Sequence, residues 1–385
     1  MNTQNAINAQ NPLATPLVAL AAGGTGGHVF PAQALAAELD RRGRAVDIVT
    51  DRRGDDFSGR FPGQTIHRIA SATPSGRGIL GKVKALARIA LGTIQAWRLI
   101  RQVDPAAVIG FGGYPSLPTM LAAIALSVPR AVHEQNAVLG RVNRLLARRV
   151  DAIAISFAAT KRMPRSGHYP KLLTGNPVRG DVLAIAEQTY RAPQLDAPFQ
   201  LLIFGGSQGA RCFSEVIPQA LVALPPEHRQ RLRVVQQCRV EDLDAVRELY
   251  IEAAIEAETA AFFSDLPSRL AAAHLVIARS GAGTVSELAA AGRPSLLVPY
   301  AHATDDHQTD NAKVLCSVGA AWLLPEGDLT APVLTAQLAK LMAAPESLTQ
   351  AALAARSRAQ PNAAAQLANM VVALATKGMR ERVAA

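Results

Sequence analysis

The residues best suited to chemistry in this 385-residue sequence are two glycine-rich strings, a histidine and a carboxylate. Gly23, Gly24, Thr25, Gly26, Gly27 and His28 follow an apolar run at 17–22 and precede a segment of helical spacing at 30–39. A glycine turn lets backbone N–H groups approach an anion closely, and a helix start adds a positive dipole end, so the turn suits phosphate or an oxyanion. His28 stands where turn meets helix. An imidazole there can face a cleft and act as a general base near neutral pH, and the helix dipole would favour its neutral form, as a base requires. Gly205, Gly206, Ser207, Gln208, Gly209 and Ala210 repeat the plan after the apolar run 200–204. A third turn, 279–287, ends on Glu287, one helical turn beyond the loop, where a carboxylate accepts two ribose hydroxyls. The competing reading of Glu287 is helix-start electrostatics, which also favours acids in a first turn. The segment 299–311 carries His302, Asp305, Asp306, His307, Gln308 and Asn311, a side-chain set suited to sugar hydroxyls.

Other nucleotide and metal chemistries fit poorly. Neither glycine string ends in Gly-Lys-Ser/Thr as an ATPase loop does, and a dinucleotide fingerprint begun at Gly24 would need glycine at Val29. An Asp-x-Asp pair occurs once, at Asp242 and Asp244, inside an acidic segment with helix-like character that extends through Glu256 and Glu258. His302, Asp305, Asp306 and His307 lack a firm ligand spacing. Cys212, Cys238 and Cys316 are odd in number and have no CxxC spacing, which points to a reducing compartment without disulfides or structural zinc.

Positioning these residues requires strands ending at the glycine turns. Strand candidates at 46–49, 107–109, 131–133, 152–155, 232–235, 275–278 and 295–298 alternate with helix-length segments. That alternation predicts an α/β protein with parallel sheets covered by helices on both faces. The length predicts two domains. The expected division is a disordered extension at 1–16, an acceptor- and membrane-binding Rossmann-like domain at 17–178, a donor-binding Rossmann-like domain at 179–360 and a helix at 361–385 that packs on either domain, a return to the first included. The tract 161–180, containing Pro164, Pro170, Gly175, Pro177 and Gly180, is the expected linker, and a cleft is expected between the domains.

Net charge is +14 over residues 1–180 and −4 over the remainder. No acid occurs from Phe57 to Val103, where Arg60, Arg68, Arg77, Lys82, Lys84, Arg88, Arg98 and Arg101 accompany Ile79, Leu80, Leu86, Ile89, Ile94 and Trp97. This combination suits an anionic membrane surface, or equally a solvated basic helix with an ordinary core face. No nucleic-acid module accompanies the charge, so nucleic acid is not expected as a partner. The uncharged stretch 105–129 is broken by glycines and prolines and reads as strand, glycine loop and short helix rather than a membrane span. The first sixteen residues lack the pattern of a secretory signal.

GGTGGHVFPA at 23–32, GFGGYPSLP at 110–118, HEQNAVLGRVNRLLA at 133–147, GNPVR at 175–179, GGSQGAR at 205–211 and RSGAGTVSELAAAG at 279–292, in this order, resemble the bacterial MurG glycosyltransferase family. The resemblance runs from about residue 17 to about residue 375. It implies a GT-B fold and an inverting, metal-independent transfer of N-acetylglucosamine from UDP-GlcNAc to lipid I, giving lipid II for peptidoglycan, with no cofactor. It further implies Thr25, Gly26 and Gly27 in the donor and diphosphate site, His28 as base, and Asn136 on the substrate sugars. Arg179 and Ser207 would contact the nucleotide or its phosphates, and Phe263 would border the uracil. The turn Ala282, Gly283, Thr284, Val285, Ser286 would hold diphosphate, Glu287 ribose and Gln308 the GlcNAc hydroxyls. The implied partners are UDP-GlcNAc, lipid I, the anionic cytoplasmic face of the inner membrane, which the patch from Ile79 to Trp97 would dock, and other cell-wall synthesis proteins. The sequence departs from the family in a segment near 301–307 that is one residue longer and in His307, where glutamine is common. Rival readings are a GT-B transferase acting on another lipid, a UDP-GlcNAc epimerase and a non-catalytic UDP-sugar sensor.

Overall fold

The computed structural model describes residues 16–24, 26–51, 59, 61–73, 78–165, 170–206 and 209–383, side chains at 380–383 excepted. Thr25 and Ser207, Arg60 and Arg77 of the basic stretch and residues 1–15 of the extension lie outside the described residues. The chain forms two all-parallel sheets. The first contains β1 (Val18–Ala21), β2 (Val46–Asp51), β3 (Thr65–Ile69), β4 (Ala107–Gly110), β5 (Arg130–Glu134), β6 (Ala152–Ile155) and β7 (Lys171–Leu173), in spatial order β3-β2-β1-β4-β5-β6-β7. The second contains β8 (Phe199–Phe204), β9 (Leu232–Gln237), β10 (Glu256–Ala260), β11 (Leu275–Ala278), β12 (Ser295–Leu297) and β13 (Ala321–Leu323), in order β10-β9-β8-β11-β12-β13. In both sheets the strand order reverses beside the strand that opens it, between β1 and β4 and between β8 and β11. A parallel sheet leaves a crevice at such a reversal, beyond the carboxyl ends of the strands. The glycine strings follow β1 and β8, so both turns lie at these crevices.

Each sheet is buried on both faces, as parallel sheets with helical crossovers must be. Along β1, Val18 and Leu20 join one apolar cluster and Ala19 the opposite one; along β8, Phe199, Leu201 and Ile203 face away from Leu202 and Phe204. The helices covering the first sheet include α1 (Gly26–Arg41), α2 (Ile79–Val103), α3 (Gly113–Ala125) and α4 (Arg141–Leu146). The chain then runs through α5 (Gly180–Ile185) into the second sheet, whose helices are α6 (Arg211–Val222), α7 (Pro226–Arg229), α8 (Leu243–Glu252), α9 (Leu266–Ala272), α10 (Ala282–Ala291), α11 (His307–Cys316), α12 (Ala331–Met342) and α13 (Pro345–Arg356). Finally α14 (Ala363–Val383) crosses back and lies against α1 and β4. Its Leu367, Ala368 and Val371 are fully buried with Leu35 and Leu39, and Arg42 donates to Asn369 Oδ1 at 2.7 Å.

Three sequence expectations need correction. Glu256 and Glu258 belong to strand β10 rather than to a helix, because β10 is an edge strand whose outward acids meet solvent and the cations Arg233 and Arg269. The tract 161–180 is not linker throughout, since Lys171–Leu173 pairs with β6 as the outermost strand of the first sheet. The 105–129 stretch forms β4, a glycine turn and α3, and among the described residues no helix is long and apolar enough to cross a membrane. Ile89, assigned above to the basic-apolar patch, is instead a core residue of α2.

The two passages between the sheets touch. Gly175 has φ +82°, and a Cβ there would meet Gln360 Oε1 at 2.1 Å and the Ala363 side chain at 2.9 Å. Glycine is required both by the backbone conformation and by this close approach.

Candidate active site

The first turn of α1 faces the first turn of α10 across the gap between the two sheets. Gly26, Gly27 and Phe30 line one cavity with Asn176, Pro177, Val178 and Arg179 of the connecting segment and with Gly283 and Glu287 of α10. Neither helix has an acid in its first turn, and α10, starting after Gly281, has no side-chain cap, so its leading N–H groups remain available to an anion. Within the turn 282–286, Val285 is a core residue, so its backbone alone is available to a ligand.

Glu287 is 8% exposed. Burial pushes its carboxyl up, and Arg179 pulls it back through charge and a 3.0 Å hydrogen bond from Nε to Oε1. The Arg179 guanidinium also lies 5.1 Å over the Phe30 ring, so one side chain spans the gap from α1 to α10. Asn176, almost fully buried, donates to Ser286 Oγ at 3.3 Å, while its Oδ1 has no hydrogen-bond partner among the described residues.

His28, the third residue of α1, is half-buried. Its Nδ1 lies 2.8 Å from Phe111 O and 3.2 Å from Gln135 Oε1. Its Nε2 points toward Gly113, where an added Cβ would approach to 3.3 Å. Gly112 and Gly113 have φ +81° and +68°, which turn the chain sharply after β4, and Gly113 puts no side chain against the imidazole. Behind His28, Gln135 Nε2 lies 3.0 Å from Phe111 O and 3.1 Å from His133 Nδ1, and His133 Nε2 lies 3.0 Å from Gly175 O. His133 is fully buried, and desolvation brings its pKa down to about 4.

Other predicted residues are placed differently. Asn136 is committed at the seam between the sheets: its Nδ2 donates to Glu134 Oε1 at 3.1 Å, and its Oδ1 accepts from Asn311 Nδ2 at 3.1 Å. Asn311 also donates to Ser280 O at 3.1 Å and accepts from Ala137 N at 2.7 Å. Phe263 is buried under the Arg269 guanidinium, 4.2 Å from its ring centre. Gln308 accepts from Tyr300 N at 3.0 Å and, through its carbonyl, from Ser280 Oγ at 2.8 Å, which ties the polar loop to the 279–287 turn. In that loop Asp305 is gripped by Arg144 and by Arg162 at 2.6 Å, and Asp310 pairs with Lys161 at 2.7 Å. Burial raises the Asp305 carboxyl, but Arg144 and Arg162 outweigh it and hold the group below its ordinary value.

These last pairs join the two sheets, and no spacing in the sequence announced them, since the partners lie more than 140 residues apart. His133 and Gln135 were visible only as members of a motif, because a hydrogen-bond chain has no sequence period. Among the described residues no group of three or more His, Cys, Asp or Glu is placed to hold a metal ion, and Asp244 is exposed beside Arg247 of its own helix.

Comparison with known proteins agrees with this architecture. Residues 18–155 match the glycosyltransferase family 28 N-terminal domain and residues 200–367 its C-terminal domain. The UDP-N-acetylglucosamine–N-acetylmuramyl-(pentapeptide) pyrophosphoryl-undecaprenol N-acetylglucosamine transferase of Rhodospirillum rubrum is 54% identical over 93% of this chain and 92% of its own. The transferase of the same name from a strain of Methylorubrum extorquens is 51% identical over 93% of this chain and 97% of its own. The crystal structure of Acinetobacter baumannii MurG superposes with a TM-score of 0.75 at 33% identity, covering 92% of this chain and 99% of that one. A UDP-GlcNAc 2-epimerase from Neisseria meningitidis superposes with a TM-score of 0.63 at 14% identity, which shows a shared fold alone. With two parallel-sheet domains in the GT-B arrangement and sequence identity above one half along nearly its whole length, this chain belongs to the MurG family of glycosyltransferase family 28.

Proposed function

We propose that this protein transfers N-acetylglucosamine from UDP-GlcNAc to the C4 hydroxyl of the N-acetylmuramyl residue of lipid I, with inversion, giving lipid II for peptidoglycan. The observation that carries the proposal is the cavity between α1 and α10. In it a glycine turn beside His28 meets the uncapped start of α10 and Glu287, in a chain more than half identical to transferases named for this reaction. His28 Nε2 takes the proton of the C4 hydroxyl as that oxygen bonds to the anomeric carbon. The bond from the anomeric carbon to the diphosphate breaks on the opposite face, and UDP leaves. Charge developing on the diphosphate is met by fixed N–H dipoles at the helix starts, which need no reorganisation during the reaction. Glu287 holds the ribose, and Arg179 binds the nucleotide or its phosphates while pairing with Glu287. The enzyme works at the cytoplasmic face of the inner membrane, docked peripherally through α2. Ile79 and Leu80 there are 82% and 80% exposed, Val83, Leu86, Leu91 and Ile94 are also exposed, and Lys82, Lys84, Arg88 and Arg98 are interspersed among them.

The test is incubation of the purified protein with labelled UDP-GlcNAc and lipid I in the presence of EDTA. Label is expected in lipid II with release of UDP; no transfer, or conversion of UDP-GlcNAc without acceptor, would overturn the proposal. His28→Ala is expected to lower kcat by about 100-fold or more, the ordinary contribution of a general base, while donor Kd stays within about twofold. Unchanged turnover would remove His28 from this role.

A further inference from the structure

We propose that Gln135 and His133 are positioning residues that fix the tautomer of His28, holding its proton on Nδ1 and its lone pair on Nε2 toward the cleft. The inference rests on the reading of His28 as the base and adds the two residues that keep it in the form a base needs. The argument runs inward from Gly175. Its carbonyl oxygen only accepts, so the His133 nitrogen 3.0 Å away, Nε2, carries a hydrogen. His133 is fully buried and neutral until about pH 4, so with Nε2 protonated its Nδ1 is a bare acceptor.

The Gln135 atom 3.1 Å from that nitrogen must therefore be the amide NH2, which also donates to Phe111 O at 3.0 Å. Exchanging the amide nitrogen and oxygen would set an oxygen against two acceptors at once. Gln135 Oε1 thus faces His28. The His28 Nδ1 finds two acceptors, Phe111 O at 2.8 Å and Gln135 Oε1 at 3.2 Å, and must itself carry hydrogen. Its Nε2 is left with the lone pair, beside Gly113. When Nε2 receives the substrate proton, the same two oxygens face the charged Nδ1–H and stabilise the imidazolium. With His133 gone, the Gln135 amide is held by Phe111 O alone, and one of the two contacts that exclude its flipped form is lost. In its flipped form it offers N–H to His28 Nδ1 and selects the tautomer whose Nε2 is already protonated and cannot act as base.

The test uses the full chain with 15N-imidazole histidine, the His28 resonances being identified by their loss in His28→Asn. In the unsubstituted protein above pH 7, His28 is expected to show protonated Nδ1 and unprotonated Nε2. His133→Phe, which keeps a ring against Phe111, and Gln135→Leu are expected to move His28 toward the Nε2-protonated form and to lower kcat about 10-fold, part of a general base's contribution, with donor KM changed less than about twofold. An Nε2-protonated His28 in the unsubstituted protein overturns the proposal whether or not either variant folds. A fall in kcat with the tautomer unchanged also overturns it, as the signature of a merely structural role. A tautomer shift with kcat unchanged supports the network and instead overturns the reading of His28 as the base, so the two failures are distinct.

Discussion

His133 shows how a residue can be unreactive and still set conditions for one that reacts. Burial brings its pKa to about 4, against 6.5 for an exposed imidazole. The unfolded chain therefore takes up a proton near pH 6.5 that the folded chain refuses until about pH 4. This residue's share of stability is complete above pH 6.5 and falls as pH drops from there toward 4, by roughly 2 kcal/mol between pH 6.5 and 5. Urea unfolding at pH 7 and pH 5 should show that loss, and His133→Phe should shrink the difference by a similar amount; an unchanged difference would mean that His133 is not held neutral. His274, also lowered by burial, acts in the same direction and remains in the variant. At this scale the sequence showed which residues cluster but not what they touch. His28 and Glu287 were legible because each follows a glycine turn. Arg179 was legible only through resemblance, and its bond to Glu287 joins residues 108 positions apart.

Among the elements, the strands that sequence reading missed are β3, β7, β10 and β13, and these are the four sheet edges. A central parallel strand is buried on both faces and reads as an apolar run, whereas an edge strand meets solvent and carries residues such as His67, Lys171 or Glu256. Helix α2 presents the complementary case. Ala85, Ile89, Ala96 and Ile100 face the core, yet the opposite side is apolar and basic rather than simply polar, which an ordinary covering helix does not need. Replacing Ile79 and Leu80 together with glutamate should weaken binding to vesicles rich in anionic phospholipid by about 10-fold or more, since each inserted side chain contributes on the order of 1 kcal/mol or more when half-buried. Leu195→Glu, at an apolar residue exposed outside this helix, serves as the control and should bind as the unsubstituted protein does. Equal vesicle binding by all three proteins would remove α2 from docking.

For the whole molecule, the cleft was legible from two glycine-cornered halves, whereas the forces that close it were not. Arg144, Lys161 and Arg162 on the first-sheet side hold Asp305 and Asp310 on the other, and Asn311 bridges Ala137 and Ser280 near the centre of the seam. The polar loop expected to read sugars thus commits Asp305 and Asp310 to closure, and the left-handed backbone at Asp305 and Asp306 lets it reach across. Partly exposed pairs of this kind are worth about 0.2–1 kcal/mol each and weaken with salt. Asp305→Asn combined with Asp310→Asn should therefore raise donor KM by about 2- to 5-fold and increase the radius of gyration measured by small-angle scattering, and high salt should move the unsubstituted protein in the same direction. A radius and KM unaffected by both would show that these pairs do not hold the cleft.

The return of α14 to the first sheet has a consequence for biosynthesis. Leu367, Ala368 and Val371 supply part of the apolar layer beneath Leu35 and Leu39, but the ribosome makes them only after the entire second sheet. The half of the molecule that is translated first must therefore wait with one flank uncovered, while the half translated second has its own strands and covering helices in hand sooner. Emergence order and completion order are reversed in this chain, and a nascent intermediate would expose the α1 flank as the surface a chaperone meets.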